Sequence, residues 1–153
     1  MRPWIEGLGV TNVPMSAPMQ LEQLWQEFVL AQQNEELLKL QEIVDTARKI
    51  DGQDATDWHE QALQLEEKKW FVAYIYGYKP VPKRLAKPFL LAALMVKDAS
   101  YNRAFIQPVL ETYGTEKTKK LLFELCETNE LPADARSKAL YWVEATPQKH
   151  RGS

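Results

Sequence analysis

Between Phe89 and Val143 the chain states one pattern twice: an apolar helix, a short break carrying an acid, and a second helix opening near an arginine. The first copy is Phe89-Leu90-Leu91-Ala92-Ala93-Leu94, then Asp98, Arg103 and Val109-Leu110. The second is Leu121-Leu122-Phe123-Glu124-Leu125-Cys126, then Asp134-Ala135-Arg136 and Ala139-Leu140. Apolar residues recurring at helical spacing make one stripe, and that stripe must be covered by a neighbour. Two such pairs in a row predict an all-α fold, a scaffold for contacts that carries no catalytic constellation.

Upstream, residues 20–50 contain neither Gly nor Pro and are rich in Leu, Glu, Gln and Ala, which predicts a long helix. Leu21, Leu24, Phe28 and Ala31 form one stripe. After the polar run Gln32-Gln33-Asn34-Glu35-Glu36, a second stripe of Leu37, Leu40, Val44 and Ala47 is out of phase with the first. The helix therefore either bends near 32–36 or touches two different neighbours. Asp51-Gly52 is read as its end.

A further helix is predicted over 57–78, with Asp57 as N-cap and Glu60 completing a capping box. Trp58, Ala62 and Leu65 share one side of it. The run Trp70-Phe71-Val72-Ala73-Tyr74-Ile75-Tyr76 is apolar or aromatic all round, so it should be enclosed and central to the core. Pro80 and Pro82 interrupt the helical reading, and Pro88 either kinks a helix or opens one. Helices then follow over 89–97, 101–113, 116–128 and 132–145, with Pro108 inside the second, Gly114 closing it, and Pro147 stopping the last. Residues 1–19 hold three prolines and two glycines without periodicity and read as an extended arm, which Trp4, Ile5, Leu8 and Val13 would dock on the body.

These elements add up to one all-α domain over 20–147: a helical hairpin at 20–78, then paired helices at 82–145. Residues 148–153 are a tail, of which Arg151-Gly152-Ser153 reads as a vector-derived scar. The chain is long enough for a genuine core. No apolar run reaches the ~20 residues of a membrane span. The start of the chain lacks the apolar segment of a secretion signal, and a single cysteine fits a reducing compartment, so the cytoplasm is the expected location.

Residues 82–145 resemble HEAT-type (armadillo-like) helical repeats. Asp134-Ala135-Arg136-Ser137-Lys138-Ala139-Leu140 is similar to that family's Asp-x-Arg-x-x-Ala-x-Leu tendency, and Asp98, Arg103 and Ile106 follow it loosely. A proline kink in the first helix of a unit is also familiar there, the part Pro88 would play. The resemblance implies a right-handed stack of antiparallel helix pairs, with residues 20–78 as a longer hairpin capping it.

The chemistry-bearing residues are few. His59 has no second histidine at the zinc-protease spacing, and the other histidine, His150, lies in the tail. With one cysteine, Cys126, they cannot make a structural zinc site. His59 is expected at the surface in a first helical turn, and Cys126 as an apolar filler near a helix end where Glu124 and Glu127 oppose thiolate formation. The acids Glu22, Glu27, Glu35, Glu36, Glu42, Glu60, Glu66 and Glu67 read as a solvated face. No phosphate-cradling glycine loop, nucleophile elbow or calcium loop occurs. The expectation is therefore no enzyme, no cofactor and no metal.

Charge is uneven. Residues 1–78 hold 6 Lys/Arg and 13 Asp/Glu, a net of −7, and residues 79–153 hold 13 and 8, a net of +5. Within the basic half, Tyr74, Tyr76 and Tyr78 run into Lys79, Lys83, Arg84 and Lys87, with Lys117, Lys119 and Lys120 on another turn and Arg103 nearby. Such a cluster suits an acidic protein partner, or the acidic half of the chain itself. Cations interleaved with exposed aromatics also suit nucleic acid. The expected function is non-catalytic protein–protein binding, as an adaptor, regulator or inhibitor. A nucleic-acid module on the same face and an immunity-type toxin inhibitor are the alternatives, and no membrane is implied.

Overall fold

The structure, a computed structural model, describes residues 15–96, 99–131 and 134–145. Among these the chain is all-α: eight α-helices and one 3-10 turn, with no strand. None of the helices described is long and apolar enough to cross a membrane. The chain divides into two compact units, Met1–His59 and Glu60–Ser153.

In the first unit, α1 (Ala17–Gln33) starts earlier than the arm predicted at 1–19 would allow. Ser16 caps it, its hydroxyl accepting from the Met19 N–H at 3.4 Å, and Pro18 sits in the first turn where its missing N–H does no harm. The docking expected of Trp4, Ile5, Leu8 and Val13 lies outside the described residues.

The long helix expected over 20–50 is two helices. At the end of α1, the Glu36 N–H donates to Ala31 O at 3.0 Å and the Glu35 N–H to Gln32 O at 3.1 Å. That is a Schellman arrangement, and it requires a left-handed residue, here Glu35 at φ 55°. The polar run was thus the place of a reversal, after which α2 (Leu37–Arg48) packs back on α1. Its buried stripe is Ile43, Val44 and Ala47, with Leu40 half-buried. Leu37, expected in that stripe, is 77 % exposed because α2 begins there.

Gly52 follows at φ 106°, a conformation that favours glycine, and its carbonyl accepts from the Thr56 N–H at 3.0 Å. The next helix, α3 (Gln53–Ala62), therefore starts before the expected cap, and Asp57 lies inside it. Trp58 is buried and donates from Nε1 to Glu22 on α1 at 3.2 Å. The division between the two units falls within α3, after His59.

In the second unit, the helix expected over 57–78 is interrupted: a turn at 63–68 separates α3 from α4 (Lys69–Ile75). That turn leaves Leu65 exposed and puts Leu63 in the core in its place. Most of the aromatic run is enclosed as expected, with Phe71, Val72, Ala73, Ile75 and Tyr76 buried, but Tyr74 is exposed. A 3-10 turn, Tyr76–Tyr78, carries the chain into the proline segment.

Pro82 is the N-cap residue of α5 (Lys83–Met95), which continues through Pro88 and so begins before the helix expected at 89. The remaining helices are α6 (Ala99–Tyr113), with Pro108 inside it, α7 (Thr115–Thr128) and α8 (Ala135–Ala145). Gly114 at φ 86° joins α6 to α7, its N–H donating to Leu110 O and its carbonyl accepting from Thr118. Helix α5 packs on α6 and α7 on α8, while α5 also meets α7 and α6 meets α8. Phe89, Leu90, Phe105, Ile106, Val109, Leu110 and Leu122 fill the space between them.

Candidate functional site

The backbone that carries the basic turn is held from α6. Val81 is buried, its N–H donates to Thr112 Oγ1 at 3.1 Å, and its carbonyl accepts from the Tyr113 hydroxyl at 2.7 Å. Thr112 passes its own proton to Pro108 O at 2.8 Å. A proline segment cannot satisfy its polar groups by a helix ladder, so these side chains do it. Burial pushes the Tyr113 hydroxyl above its ordinary pKa.

All eight cations singled out in the sequence lie in the second unit, and they are not equivalent. Lys79 is half-buried, with Nζ 5.7 Å from the centre of the Tyr76 ring. Arg84 Nε donates to Glu60 Oε1 at 2.7 Å. Lys87 Nζ lies 3.2 Å from Glu124 Oε2, and Lys119 Nζ 3.8 Å from Glu144 Oε2. The Arg103 guanidinium stands 5.2 Å from the centre of the Trp142 indole. Lys83, Lys117 and Lys120 are exposed and form no ion pair among the described residues.

Those three are placed by the helices beneath them. Leu85, Ala86, Phe89 and Leu90 bury one side of α5, and Thr118, Leu121, Leu122 and Leu125 one side of α7, which turns Lys83, Lys117 and Lys120 to water. Lys83 precedes Lys87 by one turn, and Lys120 precedes Glu124 by one turn. Each therefore sits about 6 Å along its own helix from the bridge that joins α5 to α7. Glu116 and Glu127 are also exposed on α7, so acids stand on the same helix as these cations.

The tyrosine cluster separates. Tyr76 is core, edge-on to Phe89 at 5.4 Å between ring centres, whereas Tyr74 is 52 % and Tyr78 is 89 % exposed. Phe123 is partly exposed on α7 and lies 5.1 Å under the Arg136 guanidinium.

Two expectations change. His59 is not a surface residue: it is 1 % exposed, in the last turn of α3, edge-on to Trp58 at 6.1 Å. It lies four residues after the buried Ala55 and three before the buried Ala62, so it falls on their covered side of α3. Cys126 is half-buried, and desolvation raises its thiol pKa while the charge of Arg136 acts in the opposite sense. Asp134 is fully exposed and held below the usual carboxylate range by its hydrogen bond to Lys138 and by the charge of that lysine.

Two further buried polar residues were missed in the sequence. Lys69 is 3 % exposed, with Nζ 2.8 Å from Glu66 and 5.7 Å from the Phe105 ring centre. Its position in an aromatic run was the one available hint. Asn102 is buried on α6, and its Oδ1 accepts no hydrogen bond among the described residues. Among the described residues no group of three or more His, Cys, Asp or Glu side chains is placed to hold a metal ion.

No protein-family model, curated protein or solved structure matches the chain.

Proposed function

We propose that the chain is a non-catalytic protein-binding module, an adaptor, regulator or inhibitor, that engages an acidic surface of its partner along the α5–α7 face. The observation that carries this reading is the set Lys83, Lys117 and Lys120, exposed and with no ion pair among the described residues, while Arg84, Lys87 and Lys119 are matched to acids of the same chain. Unmatched like charges on neighbouring helices repel one another, and an anionic partner relieves that repulsion and speeds encounter. The pairing of α5 with α6 and α7 with α8, with α5 on α7 and α6 on α8, is what two stacked HEAT-like units would make. A right-handed stack and a cytoplasmic location belong to the same proposal.

The test is capture. The Lys83→Glu/Lys117→Glu/Lys120→Glu variant, immobilised beside the wild type, should lose the proteins that the wild type retains, with identical helix content by circular dichroism. Equal retention sinks the reading.

Tyr78 favours a second reading. A tyrosine 89 % exposed beside Lys79 is a stacking platform for an unpaired base, and the same lysines would meet phosphate. Anisotropy titrations with short single-stranded DNA and RNA decide between the two, because phosphate-driven affinity falls steeply with salt.

A further inference from the structure

The first unit carries a surface with the opposite character. Leu30 ends α1, Leu37 and Leu38 begin α2, and all three are exposed, Leu38 at 81 %. Between them stand Glu35 and Glu36, also exposed, with Lys39 the nearest cation. Three large apolar side chains held in water around one turn are costly unless something covers them. The acids beside them disfavour covering by the same turn of another molecule, since that would bring Glu35 and Glu36 together with their copies.

The boundary between the units is also a boundary of charge. Residues 1–59 hold 4 Lys/Arg and 10 Asp/Glu, a net of −6, and residues 60–153 hold 15 and 11, a net of +4. The basic side offers Lys83, Lys117 and Lys120, with Phe123 partly exposed one turn beyond Lys120. Cations beside an apolar ring are the complement of leucines beside carboxylates.

We infer that the chain self-associates head to tail, the Leu30–Leu38 turn of one copy docking on the α5–α7 face of a second. The inference rests on the basic face being a docking surface, and it adds that a second copy competes with the partner for it. A contact between two different patches leaves one of each patch unused, so it extends into chains or rings.

Sedimentation velocity on the full chain tests this. The weight-average mass should rise above the 17.7 kDa monomer between about 10 µM and about 1 mM at low salt. It should return to the monomer value near 500 mM salt, where the Debye length falls to roughly 4 Å. Leu37→Asp/Leu38→Asp and Lys83→Glu/Lys120→Glu should each raise the dissociation constant at least about tenfold. Mixing Glu35→Lys/Glu36→Lys with Lys83→Glu/Lys120→Glu should restore association that neither shows alone. A monomer at every concentration overturns the inference, as does association that survives reversal of the lysines. In that event, capture of the partner at wild-type level by Leu37→Asp/Leu38→Asp, with loss of capture by the lysine variant, leaves the basic face standing as a partner site.

Discussion

Lys87 Nζ and Glu124 Oε2 stand 3.2 Å apart, joining α5 to α7 and leaving Lys83 and Lys120, one turn away on either helix, without an ion pair among the described residues. The bridge is half in water, so it contributes only about 0.5 kcal/mol to stability. What it does is organise charge: it neutralises the middle of the seam and leaves cations beside it.

The first prediction separates those two kinds of lysine. Lys83→Glu/Lys120→Glu should weaken partner capture at least about tenfold, and raising salt should weaken the wild type in the same direction. Lys87→Ala should shift the urea midpoint by no more than about 0.5 kcal/mol equivalent. Reversing Arg84 is a poorer test, because Arg84 is already paired with Glu60 and its loss disturbs the protein itself.

Glu35 occupies a left-handed conformation at φ 55° to close α1. A side chain there costs roughly 1 kcal/mol, of which glycine recovers part after its larger loss of freedom on folding. Glu35→Gly should therefore stabilise the protein by about 0.5 kcal/mol, read as a higher urea midpoint with an unchanged slope. Glu35→Val, branched at Cβ, should lower it.

Tyr113 holds the proline segment through its 2.7 Å hydrogen bond to the Val81 carbonyl. Tyr113→Phe keeps the ring and removes that donor, and should cost about 1 kcal/mol by chemical denaturation. The pH dependence has a definite sign. Burial raises the folded-state pKa of this hydroxyl, so its contribution is complete below the ordinary tyrosine range and falls as pH rises through the folded value. The stability difference between wild type and Tyr113→Phe should narrow over that alkaline window and stay flat near neutrality.

Cys126 has a thiol pKa raised by burial, so less thiolate is present at a given pH than in the unfolded chain. Iodoacetamide at mildly alkaline pH should alkylate the folded protein more slowly than the urea-unfolded protein. Removing the opposing charge with Arg136→Ala should slow it further. Faster labelling of the native state would mean that the thiol is activated.

Much of the candidate surface was legible in the chain, because Lys83, Lys117 and Lys120 stand out as cations among apolar helical stripes. Which cations are matched was not. Arg84 meets Glu60 across 24 positions and Lys87 meets Glu124 across 37, and no local pattern encodes such distances. His59 and Leu37 show the same thing in the core: His59 is buried and Leu37 is exposed, against expectation, because each helix is covered on the side its neighbour chooses. Within a helix the spacing of residues fixes which of them share a side, but the neighbour that packs against it decides which side is covered.

The sequence by itself determined an all-α chain, the burial of Phe71, Val72, Ala73, Ile75 and Tyr76, and the joint at Gly114, since periodicity and a glycine between two helices act over a few residues. Only the tertiary structure decided that residues 20–50 fold back at Glu35, that Lys69 is buried against Phe105, and that three lysines remain unmatched. Those outcomes depend on what lies across from a residue, and packing alone brings such neighbours together.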